Sequence, residues 1–200
     1  MNEFFSKAQV DFQQRNDSAR IASQLRDTRM HSEFTDDDRS VIEPSLFFFL
    51  STSSSDGMLD CSFKGGDTGF VKVLRDDLLV FANYDGNGMY RSLGNISENP
   101  SVALLFIQFD GNKRRVRLNG LASISYDKHY VREFPLAECV VLVKPTHIFP
   151  NCPRNIPTLE FKEKSIYCPS EGYRPPEPYW KSKPDLKEFL SHKKSYNTSE

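Results

Sequence analysis

No Cys-x-x-Cys pair and no histidine at zinc-finger spacing occur in this sequence, and its four cysteines, Cys61, Cys139, Cys152 and Cys168, stand far apart. That pattern argues against a structural zinc site and for reduced, structural thiols. No segment reaches the about 18 consecutive apolar residues of a membrane span. The opening stretch MNEFFSKAQVDFQQRNDSAR lacks the basic run, apolar run and small-residue cleavage site of a secretory signal. These absences predict a soluble, cytoplasmic protein with no membrane partner. An excess of charge is missing too, with 26 Lys and Arg against 27 Asp and Glu. Without a basic field there is no expectation of nucleic-acid binding, and any anion site has to be local. Neither a Walker GxxxxGK[ST] loop nor a GxSxG nucleophile elbow is present. His31, His129, His147 and His192 are dispersed, none beside a nucleophile motif, and no internal repeat supports a solenoid or propeller.

Aromatic residues are abundant. Sixteen Phe and eight Tyr in 200 residues supply enough buried area to offset the conformational entropy of one core with terminal extensions. Residues 1–34 read as an N-terminal helical extension, with Phe4, Phe5, Val10, Phe12, Ile21 and Leu25 scattered among polar positions. Thr35 followed by three aspartates predicts a helix start, the hydroxyl capping free N–H groups and the acids suiting the dipole, with an end near Pro44. Residues 35–167 then carry six β-rich runs: LFFFLST, GFVKVL, LLVFANY, VALLFIQF, RRVRLNGLASIS and ECVVLVKPTHIF. With few long helices between them, they predict antiparallel pairing and closure into a barrel that hides its edges. Tyr126 to Ala137 reads as helical or irregular. Residues 168–200 form a tail rich in Pro and aromatics, laid extended over the surface before a short helix and frayed from 191. Its Trp180 either anchors the tail or stacks on a planar ligand.

Three segments have the chemistry of an anion site. In DCSFKGGDTGFVKV, Ser62 and Lys64 precede a glycine pair whose N–H groups can approach a phosphate closely, although KGG also fits an ordinary hairpin. In NYDGNGMYRSLGN, a strand gives way to a Gly-Asn turn and a helix near Ser92, whose free N–H groups lie beside Arg91. Its asparagines also suit plain turns. In GNKRRVRLNG, Arg115 and Arg117 share one strand face and Arg114 takes the other; two guanidinium forks suit a phosphate, and a solvated face is the alternative.

Taken in order, KGGDTGFVKV, LVFANYDGNGMYRSLGNISENPSVALLF, RRVRLNG and HIFPNCPRNIP resemble the FMN-binding split-barrel proteins related to pyridoxamine 5'-phosphate oxidase, over roughly residues 35–160. The likeness is to an uncharacterised branch rather than to the oxidase proper. It implies a mainly-β fold with flanking helices around a six-stranded antiparallel split barrel. It also implies a homodimer with FMN at the subunit interface. Carried over by motif, the flavin ring lies along Val71, Lys72 and Val73 and near Asn83, with the phosphate around Arg91 and Ser92. Arg115 takes the place of a glutamine that faces the flavin, and Ser62, Lys64 and Asn87 join as the branch's own cofactor contacts. The oxidase's Arg-Leu-x-Pro signature and substrate-binding histidine have no counterpart in the tail from Cys168 to Glu200, so oxidation of pyridoxamine phosphate is not expected. The resemblance implies an FMN-dependent oxidoreductase acting on a small organic substrate, with a nicotinamide as possible donor. A flavin-holding module without turnover, and a barrel that has lost its flavin, are the alternatives.

Overall fold

The computed structural model of the chain describes residues 4–190, so the expected fraying from 191 onward lies outside the described residues. Two helices, α1 (Lys7–Arg15) and α2 (Ala19–Arg29), come first, then α3 (Asp36–Ile42). The strands are β1 (Phe47–Ser53), β2 (Leu59–Gly65), β3 (Val71–Arg75), β4 (Leu78–Asn83), β5 (Ser101–Ile107), β6 (Arg115–Ser125) and β7 (Cys139–Pro150). Between them lie α4 (Arg91–Glu98) and the single turn α5 (Lys128–Val131), and α6 (Pro184–Lys187) follows in the tail. All pairings are antiparallel, in one sheet of order β2-β1-β5-β6-β7-β4-β3.

Strand β1 and strand β4 are separated by three others in that order, a distance of about 19 Å in a flat sheet at ~4.8 Å per strand. Yet the rings of Phe48 on β1 and Phe81 on β4 meet at 5.1 Å. The sheet therefore curls on itself, and the inward residues of its strands converge on one core that also takes in Phe70 and Phe106. Among the described residues, strands β2 and β3 remain unpaired on their outer sides, which makes the barrel split. Where β6 meets β7 the register slips between Asn119 and Gly120. A Cβ at Gly120 would stand 2.5 Å from the Lys144 carbonyl oxygen, so only glycine lets the two backbones come this close.

Both ends are plugged. Helix α3 packs on β3, β5 and β6 and inserts Val41 and Ile42, each fully buried. Thr35 caps the helix as the sequence predicts, Asp38 completes a capping box with it, and His31 Nε2 lies 2.8 Å from the Asp38 carboxylate. Helix α4 packs on β1, β2 and β6 through Leu93 and Ile96. Strand β4 is buried on both faces because Phe134, Tyr130 and Val131 cover its outer side, which explains its unbroken apolar run.

One correction to the sequence reading concerns strand number: there are seven, and the extra one is β2. Its pattern is inverted. Leu59 and Phe63 point outward, 79% and 64% exposed, while Asp60, Ser62 and Lys64 turn toward the interior. A search for apolar residues facing a core passes over such a strand.

Candidate functional site

The inversion of β2 concentrates polar groups at one end of the barrel. Ser62 and Lys64 lie within this strand rather than in a turn ahead of β3. Nor does the glycine pair after Lys64 cradle a ligand with both amides: Gly66 N–H donates to the Leu46 carbonyl at 3.0 Å, and a Cβ there would meet Phe70 at 2.5 Å. That pair serves close packing.

Ser62 and Ser92 are brought together, their hydroxyls 2.9 Å apart. Between them and Arg91 sits a residue the sequence reading missed, Asp60. Its carboxylate accepts from Ser62 Oγ at 2.9 Å and from Arg91 Nε at 3.1 Å, and lies 3.3 Å from Ser92 Oγ. Burial opposes its charge, but Ser62, Arg91 and Ser92 outweigh that and hold its pKa below the ordinary value. Reading DCSFK with a period of two would have placed Asp60, Ser62 and Lys64 on one face.

Lys64 has no hydrogen bond or ion pair among the described residues. Burial pushes its pKa down, against weaker opposing pulls from Asp60 and the Cys139 thiol. Cys139 opens β7 opposite Asn83 and is itself pushed up to about 11, by burial first and by Glu138 second. The start of α4 faces the same region. Its N-cap Tyr90 is left-handed, with φ 48°, and offers no side-chain cap, so the first N–H groups of the helix keep their capacity for an anion. Asn83 Nδ2 reaches Glu138 at 3.4 Å, and the Tyr90 hydroxyl reaches the same carboxylate. Asn87 accepts from Met89 N–H at 2.9 Å, as an asparagine holding a turn does.

The remaining residues singled out in the sequence divide by face. Val71 and Val73 point into the core, so β3 presents only its edge backbone to a ligand. Lys72 points outward, 4.9 Å from the Phe134 ring centroid and 3.5 Å from Glu133. Arg115 lies on the outer face of β6, flanking the buried Val116, and donates to the Cys152 carbonyl at 2.8 Å. It is not brought to the Asp60 cluster of its own chain. Arg114 takes the other side, paired with Asp37.

The tail, extended here to take in the chain from the end of β7, crosses this end of the barrel. Lys164 pairs with Asp67, in the loop before β3, and Lys181 pairs with Asp85, in the loop after β4, each at 2.5 Å. The two loops share one end of the β3–β4 hairpin. Lys181 is also 3.1 Å from Glu177, and its ammonium lies 5.9 Å from the Trp180 ring centroid. Beneath the tail, burial raises the Tyr84 hydroxyl to about 12, with Cys168 and Asp67 adding to it. Cys61 and Cys152 are exposed, Cys168 is half-buried and Cys139 is buried. A thiol-reactive disulfide reagent therefore modifies Cys61 and Cys152 within the mixing time, and Cys139 only on unfolding. Fast reaction of Cys139 in the native state would contradict this arrangement. No described helix is long and apolar enough to cross a membrane, and no group of three metal-ligating side chains occurs among the described residues.

The family model described as pyridoxamine 5'-phosphate oxidase matches residues 34–145, more than half of the chain. The chain belongs to the pyridoxamine 5'-phosphate oxidase family. The match runs from the approach to α3 into β7, and the tail with its two lysine clasps lies beyond it. No curated protein matches the sequence. Among solved structures, a candidate pyridoxamine 5'-phosphate oxidase from Lactobacillus delbrueckii is 22% identical with a TM-score of 0.47, over 61% of this chain and 99% of that one. An FMN-binding protein from Syntrophomonas wolfei is 14% identical with a TM-score of 0.43, over 72% and 97%. HupZ of Group A Streptococcus is 13% identical with a TM-score of 0.45, over 64% and 99%.

Proposed function

We propose that this member of the pyridoxamine 5'-phosphate oxidase family binds FMN and uses it as an oxidoreductase on a small organic substrate. The observation that carries the reading is Lys64: a half-buried ammonium with no hydrogen bond or ion pair among the described residues, on one strand face with Ser62, which meets Ser92 at the uncapped start of α4. A desolvated cation of this kind costs free energy unless an anion joins it. The donor set suits a phosphate. Lys64 supplies charge, Arg91 a guanidinium whose side chain is 52% exposed, Ser62 and Ser92 hydroxyls, and α4 its free N–H groups. The flavin ring would lie along the edge backbone of β3 near Asn83, and Asn87 would hold the turn that leads into α4. Bound FMN supplies hydride and electron chemistry at its ring system, and the protein's part is to position it.

The reading includes a homodimer. The outer face of β1 and β2 carries Phe47, Phe49 and Phe63 in mutual ring contact, joined by Phe109, and apolar patches of this kind mark association surfaces. Arg115 lies on the same outer side of the sheet, so any part it takes in holding flavin is played toward the partner subunit's cofactor.

A second reading is a flavin-holding module without turnover. The tail clasped across the site by Lys164 and Lys181 favours it, because a covered cofactor is shielded from substrates. Anaerobic mixing of the FMN-loaded protein with NADH or NADPH and then with acceptors separates the two: bleaching and recovery mark the enzyme.

The absorbance spectrum of the purified protein, followed by titration with FMN, tests the cofactor. A colourless protein that takes up no FMN rejects the reading, as does unchanged retention after Arg91 and Arg115 are both replaced by alanine. FMN affinity is also expected to fall as pH rises through the lowered pKa of Lys64. The sign follows from the charges: the free cleft disfavours the ammonium, bound phosphate favours it, so binding takes up a proton in that window. The phosphate itself titrates at about 6, below this window, so Lys64→Met is expected to flatten the part of the alkaline fall that belongs to the lysine. A profile unaltered by Lys64→Met removes the lysine from the site.

A further inference from the structure

Buried polar side-chain atoms in native proteins nearly all have hydrogen-bond partners, and each exception calls for a physical cause. Among the described residues, Gln108 Oε1, Arg115 Nε and Asn151 Oδ1 are buried without one. The three are neighbours in the sheet. Gln108 N–H donates to the Arg114 carbonyl at 2.8 Å, and Asn151 N–H donates to the Arg115 carbonyl at 3.0 Å. They mark the corner where β5 ends, β6 begins and β7 ends.

A cavity of about 690 Å³ opens beside this corner, and of the three residues it is Arg115 that lines it. Its walls are Ile107, Phe109, Ile156 and Pro157, and its charged groups are Arg115 and Arg154. No carboxylate of the described residues lines it. Arg154 has no hydrogen bond or ion pair among the described residues, and Arg115 spends one nitrogen on the Cys152 carbonyl and leaves Nε unmet. The turn that presents Arg154 is held in shape by Asn155, at φ 66°. Two guanidinium groups beside apolar walls are the complement of a ligand with an anionic end and an apolar body.

We propose that this corner binds the carboxylate of a small organic acid with an apolar or aromatic body, Arg115 and Arg154 taking the anionic end and the walls around Phe109 taking the remainder. Combined with the flavin reading, on which this last step rests, such an acid is the substrate class. Arg115 sits on the face offered to a partner subunit, so the acid would be held beside that partner's flavin.

Calorimetric titration of the full chain with benzoate, alongside inorganic phosphate, tests the site. Benzoate binding is expected, weakened at least tenfold by Arg154→Gln and by Arg115→Lys, which keeps the charge and loses the fork. Arg154 is exposed and unpaired, so its variant is expected to fold normally, and its FMN absorbance is expected to stay unchanged. Benzoate affinity indifferent to Arg154→Gln overturns the proposal. So does phosphate binding as tightly as benzoate, because the apolar walls would then take no part. Loss of FMN absorbance in Arg154→Gln also overturns it, by giving the cavity to the flavin. If the chain takes up no FMN yet binds benzoate through Arg154, the acid site stands and the flavin reading falls.

Discussion

Asp60→Asn is expected to bind FMN about tenfold more tightly than the unaltered chain in a fluorescence-quenching titration. Asp60 occupies Arg91, Ser62 and Ser92, the groups a phosphate would use. A dianion arriving there meets a carboxylate already in place. Two unit charges about 4 Å apart repel by roughly 4 kcal/mol at an effective dielectric constant of about 20. Solvent and salt reduce that at a half-open cleft, and ~1.4 kcal/mol is enough for the tenfold change. Asparagine keeps the size and one acceptor oxygen, so the change isolates charge from shape. Affinity that stays equal or drops would place the phosphate elsewhere. The same variant has a stability signature. The depressed pKa of Asp60 contributes stability that is present above the unfolded value of about 3.9 and disappears as pH falls through the folded value. The two proteins therefore differ in urea midpoint at neutral pH and converge in acid.

Phe48→Ala is expected to lower unfolding free energy by about 3–5 kcal/mol, the usual result of emptying a phenylalanine site in a closed core. Phe48 is fully buried, and its ring meets Phe70, Phe81 and Phe106 at 5.8, 5.1 and 5.0 Å. Through Phe81 it joins β1 to β4, strands that are not paired with each other in the described sheet. Against a total stability of about 5–15 kcal/mol, the loss is large, and the urea midpoint should fall with little change in slope. Phe63→Ala is the control: that ring is 64% exposed, so its removal changes the unfolding of an isolated chain little. A small effect from Phe48→Ala would mean that the barrel does not close around this ring.

Six of the seven strands were legible because each places β-branched or aromatic residues toward a core at a period of two, or on both faces as β4 does. The threonine cap at Thr35 and the helix near Ser92 were equally plain, since both are signalled by local sequence. Strand β2 was hidden by its inversion, and Asp60 with it. The pairing of Asp60 with Arg91 joins residues 31 apart and depends on where α4 packs. Arg115 shows the opposite limit: family motif places it at the flavin, whereas the strand face turns it away from its own chain's cleft. Only the folded sheet reveals that Gln108, Arg115 and Asn151 share a corner.

The clasped tail has a mechanical order written into it. Salt shortens the reach of exposed charges, from about 8 Å at physiological ionic strength to about 3 Å at 1 M, and acts far less on shielded pairs. At the Lys164–Asp67 clasp the side chains are 55% and 25% exposed, whereas at Lys181–Asp85 they are 15% and 13% exposed. Rising ionic strength thus works on one fastening before the other. The Lys164–Asp67 fastening is therefore expected to weaken with salt before the Lys181–Asp85 fastening does.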